Sequence, residues 1–206
     1  TGQSALSIYK MPFLSKKASS AVAGSGDRPY LNPSKVPSGE TVRFALLSDQ
    51  PIEFYECWGV STDGNDKKKP FRFVQDPTSE EIEAEMGDNF ERRASFDGES
   101  AEPSKFAVAA PVYNYTTARV EIIQITQKSI LRELDGISQM EDYSNLLEHD
   151  FVLGKEGSGK ASEYSLRPVP QKKGSEKATK AAWDDALEAG FDIDRMLDDG
   201  NPFSAE

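Results

Sequence analysis

The sequence predicts a mainly β domain, an antiparallel barrel with one or two short helices, carrying flexible extensions at both ends. Three observations predict it. Runs of alternating apolar and polar residues recur between residues 41 and 167. Turn signals such as Asp49-Gln50-Pro51 and Asp63-Gly64-Asn65 separate those runs. Hydrophobic residues make up 37% of the chain and charged ones 29%, a balance that fits a folded centre with solvated extensions.

Residues 1–29 are rich in Ser, Ala, Gly and Lys without a sustained period, and read as a flexible arm. Asn32-Pro33 and Pro37-Ser38-Gly39 punctuate the entry to the domain, taken as residues 30–170. The first strand is 41–47, with Val42, Phe44 and Leu46 on one face and Arg43 on the other. The second is 52–60, dense in aromatics (Phe54, Tyr55, Trp58), and the third is 70–74. Residues 80–93 could form a short acidic helix weakened by Gly87 and Asp88, and 96–103 reads as loop. Two long strands follow at 105–115 and 118–126. Ile130, Leu131 and Leu134 then take helical spacing over 127–134, which Asp135-Gly136 is expected to stop. A further short helix is plausible near 141–147, and a hairpin of 151–153 with 164–167 completes about seven strands. After Pro168 order is expected to end: 171–178 reads as a polar linker, and the rest as an acidic tail.

Composition narrows the chemistry. With Cys57 and His149 the only residues of their kinds, a Cys/His zinc site and an internal disulfide are excluded, and the commonest nucleophile–base pairs are disfavoured. No metal or other cofactor is expected. No apolar run approaches the ~18 residues of a membrane span. The chain opens at Thr1 rather than Met, so a preceding segment is expected to have been removed. The net charge is −11, but residues 184–206 carry eight acids against Arg195 alone. That leaves −4 over the other 183 residues, with local basic runs. Overall acidity therefore does not veto binding of a polyanion.

Two regions stand out as functional. Nonspecific binding of single strands needs flat side chains for bases to stack on and cations along the phosphate path. In the hairpin 52–74, Tyr55, Trp58, Phe71 and Phe73 could supply the rings, and Lys67, Lys68, Lys69 and Arg72 the charge. The plain alternative is that Phe54, Trp58, Phe71 and Phe73 are core and the lysines an ordinary solvated tip. Further bases at strand edges are Arg43, Lys105, Arg119, Lys155 and Lys160, with Tyr113 and Tyr115 sharing a face as a stacking ladder. The second region is the tail. Trp183, Leu187, Phe191 and Phe203 are more than a solvating tail needs. Together with Asp198, Asp199 and Pro202 they suggest a segment that competes with nucleic acid and engages partner proteins, or an amphipathic helix docked on the domain.

Several stretches resemble bacteriophage single-stranded DNA-binding proteins of the OB-fold type. They are Tyr30-Leu31-Asn32-Pro33, Arg43 through Asp49, Pro51-Ile52, Tyr55, Trp58, Lys69-Pro70-Phe71-Arg72, and Ile123 through Ile130. The resemblance covers roughly residues 30–170 as spaced short matches. It implies an OB-fold core, sequence-tolerant binding of single-stranded DNA during phage replication, recombination or repair, no catalysis, and a location in the cytoplasm of the infected host. The tail is similar in kind to acidic tails ending near a Pro-Phe pair, but continues through Ser204-Ala205-Glu206. The competing expectation is an adaptor or virion component that does not bind DNA, the acidic chain being a decoy. A carboxylate-dependent nuclease is disfavoured because the acids cluster in loops and tail rather than on strands.

Overall fold

The computed structural model describes residues 29–205, so nearly all of the arm expected at 1–29 lies outside the described residues. Nine strands form one mixed sheet: β1 (Tyr30–Leu31), β2 (Glu40–Leu46), β3 (Ile52–Ser61), β4 (Lys68–Phe73), β5 (Phe90–Arg92), β6 (Lys105–Asn114), β7 (Arg119–Ile125), β8 (His149–Glu156) and β9 (Glu163–Pro170). Every pairing is antiparallel except β1 with β7. The mainly β expectation holds, but the sheet is not closed into a barrel by hydrogen bonds. Its path runs β1-β7-β6-β2-β8-β9 with both ends unjoined, while β3 branches from β6 and in turn carries β4 and β5.

The register explains the shape. β6 pairs with β2 through its C-terminal residues (Leu46 opposite Val112) and with β3 through its N-terminal ones (Ile52 opposite Ala109). β2 and β3 therefore form one lane interrupted at 47–51, where Pro51 breaks the ladder. Straight, residues 40–61 would span about 70 Å. Yet Lys160, in the turn beside the Glu40 end, touches Phe96, in the loop beside the Val60 end. The lane must be bent back on itself.

Three α-helices lie among the described residues: α1 (Ser79–Met86), α2 (Lys128–Ser138) and α3 (Glu176–Glu188). α1 is set by a capping box, Thr78 Oγ1 accepting from Glu81 N and the Glu81 carboxylate from Thr78 N, and it ends at Gly87, whose φ is 60°. It is shorter than expected, and residues 90–92 pair with β3 instead. α2 runs through Gly136 because Ile130 and Ile137 are both buried in the main core; that packing outweighs the ~1 kcal/mol helix cost of glycine. Two 3-10 turns, Glu141–Tyr143 and Leu146–Glu148, replace the further helix expected there.

The core has two sides. On one face, Phe44, Val112, Ile123, Phe151 and Leu153 pack beneath α2, and Cys57 and Phe71 pack beneath Ile82 and Met86 of α1. On the other face lie Ile52, Phe54, Ala107, Ala109 and Ile122.

That second face is covered by the C-terminal segment, which overturns the expectation of a linker and free tail and agrees with the alternative of an amphipathic segment docked on the domain. Residues 171–205 are not a linker and free tail: α3 is followed by a 3-10 turn at Ile193–Asp198 seated on the sheet. Met196 is 1% exposed against Phe54 and Ile122, with Phe191, Ile193, Leu197 and Phe203 around it. The physical reason is the bare apolar sheet face, which these side chains remove from water at roughly 1.5–3 kcal/mol for a fully buried one.

Candidate functional site

Across β4, β3 and β6, Tyr55 sits directly opposite Phe73 on one side and Phe106 on the other, so all three rings share a face. Tyr55 and Phe106 meet edge to face at 5.5 Å. Phe106 is 39% exposed and Tyr55 and Phe73 are half-buried, leaving an accessible aromatic platform between the two clusters on that face. Phe106 was not among the sequence candidates. The alternation Lys105-Phe106-Ala107 signalled its strand but not its exposure.

The other expected rings divide. Phe71 is buried under α1, its ring held so close to Gly59 that a Cβ there would lie 2.7 Å from it. Trp58 projects from the opposite face to Tyr55, as three-residue spacing on a strand requires, with the Arg93 guanidinium 5.5 Å from its ring centroid. Tyr113 is 8% exposed and belongs to the core. Tyr115 is enclosed between Arg43 and Lys172, and its hydroxyl donates to Asp150 and meets Ser175 Oγ. Burial, followed by the Asp150 hydrogen bond, pushes its phenol pKa up. The Tyr113–Tyr115 ladder is therefore a structural joint that fastens the start of the C-terminal segment, not an open stacking surface.

The basic residues fall into three groups. Arg43 Nε donates to the fully buried Asp150 at 2.9 Å and its Nη2 donates to the Pro170 carbonyl; Arg119 pairs with Glu121; Lys155 donates to the Ser34 carbonyl. These serve the fold. Lys105 pairs with Glu102 at 3.2 Å, and Glu102 also receives Arg93 at 2.5 Å. Against the cost of burial, hydrogen bonds from Arg93 and Lys105 hold the Glu102 carboxyl below its usual range. Lys67, in the β3–β4 turn, and Lys68, the first residue of β4, are exposed.

Lys69 and Arg72, on β4, make the third group. Lys69 Nζ lies 2.7 Å from the Asp199 carboxylate and 4.9 Å from the Phe71 ring centroid. Arg72 Nε pairs with the buried Glu56 at 3.1 Å, and its Nη1 donates to the Met196 carbonyl at 3.3 Å. A shallow depression there is lined by Phe71, Arg72, Glu85, Leu197, Asp198 and Asp199. The basic edge of β4 is thus occupied by the acidic end of the same chain.

The tail residues converge on this arrangement. Phe191 stacks edgewise on both Trp183 and Phe203, and Phe203 on Tyr30 of β1. Pro202 is buried. Arg195 Nη1 donates to the carbonyls of Gly190 and Ser204, tying residues 190–204 into a closed loop. The anchors are apolar. The Lys69–Asp199 pair, with its side chains 40% and 53% exposed, is worth at most about 1 kcal/mol, so it tunes the edge rather than holding the segment.

Among the described residues no three His, Cys, Asp or Glu are grouped to hold a metal ion, and no helix is long and apolar enough to cross a membrane. No protein-family model, curated protein or solved structure matches the chain.

Proposed function

We propose that this protein binds single-stranded DNA without strong sequence preference, as a bacteriophage replication, recombination and repair protein acting in the infected host's cytoplasm. The Tyr55–Phe73–Phe106 platform offers ring faces to bases, each stack contributing about 1–3 kcal/mol, and Lys67, Lys68 and Lys69 offer ammonium groups to phosphates. The bent sheet is, on this reading, an elaborated OB-type fold; its support is the long kinked β2–β3 lane and the helix inserted between β7 and β8 beneath the main core.

The observation that carries the reading is the Asp199 carboxylate seated on Lys69, an anion placed where a phosphate would bind. Because apolar contacts hold the segment, phosphate can replace Asp199 without expelling Met196. The acidic end therefore competes at the β4 edge alone, and the freed Asp198-Asp199 corner becomes available to partner proteins.

The test is a titration of labelled oligothymidine at two salt concentrations with the full chain and with Asp198→Asn/Asp199→Asn. The reading expects salt-sensitive binding by the full chain and tighter binding by the double variant at low salt, the gap closing at high salt. No binding at either salt refutes the DNA reading. Binding that the variant leaves unchanged refutes the competition.

A further inference from the structure

The hairpin between β5 and β6 holds Phe96 at its tip with 83% of its surface exposed, the most open of the large apolar side chains described. Its presentation is built. Ser95 N donates to the Ser100 carbonyl, Gly98 N to the Ser95 carbonyl, and an Ala94–Ala101 bridge closes the base. The Asp97 carboxylate accepts from the Ser95 hydroxyl and from Glu99 N, so it is turned into its own loop. Below the bridge, Arg93 and Glu102 are joined by two hydrogen bonds. A tip braced in this way keeps in water a ring whose burial would otherwise be favoured.

A second hairpin meets it. Lys160, in the β8–β9 turn, places its ammonium 4.4 Å from the Phe96 ring centroid. That turn is fixed as well: Gly157 has φ of 74°, and a Cβ on it would run into the Ala161 carbonyl. Lys160 backs one face of the ring, and the exposure leaves the other open. Between Ala94 and Ala101 the charged residues of the hairpin are the acids Asp97 and Glu99, and Arg93 below the bridge is held by Glu102, so Lys160 supplies the cation at the ring.

We propose that Phe96 and Lys160 together form a second stacking position for single-stranded nucleic acid, a base lying on the open ring face and a neighbouring phosphate pairing with the ammonium behind it. This rests on the single-strand reading above and extends it to two loops that the Tyr55–Phe73–Phe106 platform does not include. A ring polarised by a cation on one face and free on the other suits a flat heteroaromatic better than an aliphatic side chain.

The test measures affinity for long oligothymidine at low salt, using the full chain, Phe96→Ala, Phe96→Trp and Lys160→Gln, with thermal melts alongside. Phe96→Ala should bind about 5- to 100-fold more weakly with its melting temperature unchanged, since the ring is on the surface. Phe96→Trp should bind at least as tightly as the parent. Lys160→Gln should lower the slope of log affinity against log salt by about one. A parent that binds and a Phe96→Ala variant that binds equally well overturn this inference alone. A parent that does not bind overturns the single-strand reading, and this inference with it.

Discussion

The Met196 carbonyl accepts a hydrogen bond from Arg72 Nη1 at 3.3 Å while the Met196 side chain, 1% exposed, fills the apolar face made by Phe54, Ile122 and Ala107. Backbone and side chain of one residue thus join the acidic segment to both the basic edge and the core. Met196→Ala should cost about 2–5 kcal/mol through the cavity it leaves, whereas Met196→Leu, close in volume, should cost under ~1.5 kcal/mol. Urea unfolding measures the difference. Limited proteolysis within 189–205 should accelerate in the alanine variant only.

The aromatic platform separates from the core by mutation. Tyr55→Ala and Phe106→Ala should each weaken oligothymidine binding by roughly 5- to 100-fold while leaving most of the stability. Phe71→Ala should instead lower stability by about 3–5 kcal/mol, because that ring is packed under α1. Equal effects of all three on melting temperature would mean the platform is simply core.

Gly59 has no unusual backbone angle; it is required by the Phe71 ring lying over it. Gly59→Ala forces that ring, or α1 above it, to move, and should destabilise by about 1–3 kcal/mol. A double variant, Gly59→Ala with Phe71→Leu, should recover part of the loss in chemical denaturation.

Asp150 is fully buried and receives Arg43 Nε, the Tyr115 hydroxyl and Lys172 N. Removing its charge strands Arg43 Nε and Lys172 N and leaves the Tyr115 hydroxyl with Ser175 Oγ alone. Asp150→Ala should cost about 3–5 kcal/mol and loosen the C-terminal segment, which hangs from the same joint through Tyr115 and Ser175. Hydrogen exchange in α3, compared with that in β6 and β7, would report the loosening.

Glu102 gives the pH dependence. Its folded pKa is lowered from an ordinary value of 4.5, so it contributes stability that is fully present above that value. The contribution is lost as pH falls through the lower folded value. Between these two points the Arg93 and Lys105 contacts weaken, and the hairpin carrying Phe96 should open before the main core unfolds. Amide exchange over 94–101 should rise in that window, and Glu102→Gln should show raised exchange already at neutral pH.

The strands were legible because alternation is a local signal. Val42, Phe44 and Leu46, or Phe71 and Phe73 around Arg72, declare a two-sided strand whatever they pack against, and β2, β3, β4, β6 and β7 follow within a residue or two. β1 and β5, of two and three residues, carry no such period and exist only through pairing with β7 and β3. The candidate site was half legible. Tyr55 and the lysine run belong to the hairpin that the sequence singled out, but Trp58, grouped with them there, lies on the other face of the strand. Phe106 and Phe96 were hidden because exposure of a ring depends on what is absent above it.

From its sequence alone, this chain determined a mainly β domain with a lone thiol, local basic runs, and an acidic C-terminal segment spaced with apolar residues. Only the tertiary structure decided that Phe71 and Tyr113 are sealed, that Arg43 serves Asp150, and that the acidic end lies folded on the Lys69–Arg72 edge. The reason is one of range. Periodicity and composition act over a few neighbours, whereas burial and charge pairing join residues more than a hundred positions apart, as Arg43 with Asp150 and Arg72 with Met196.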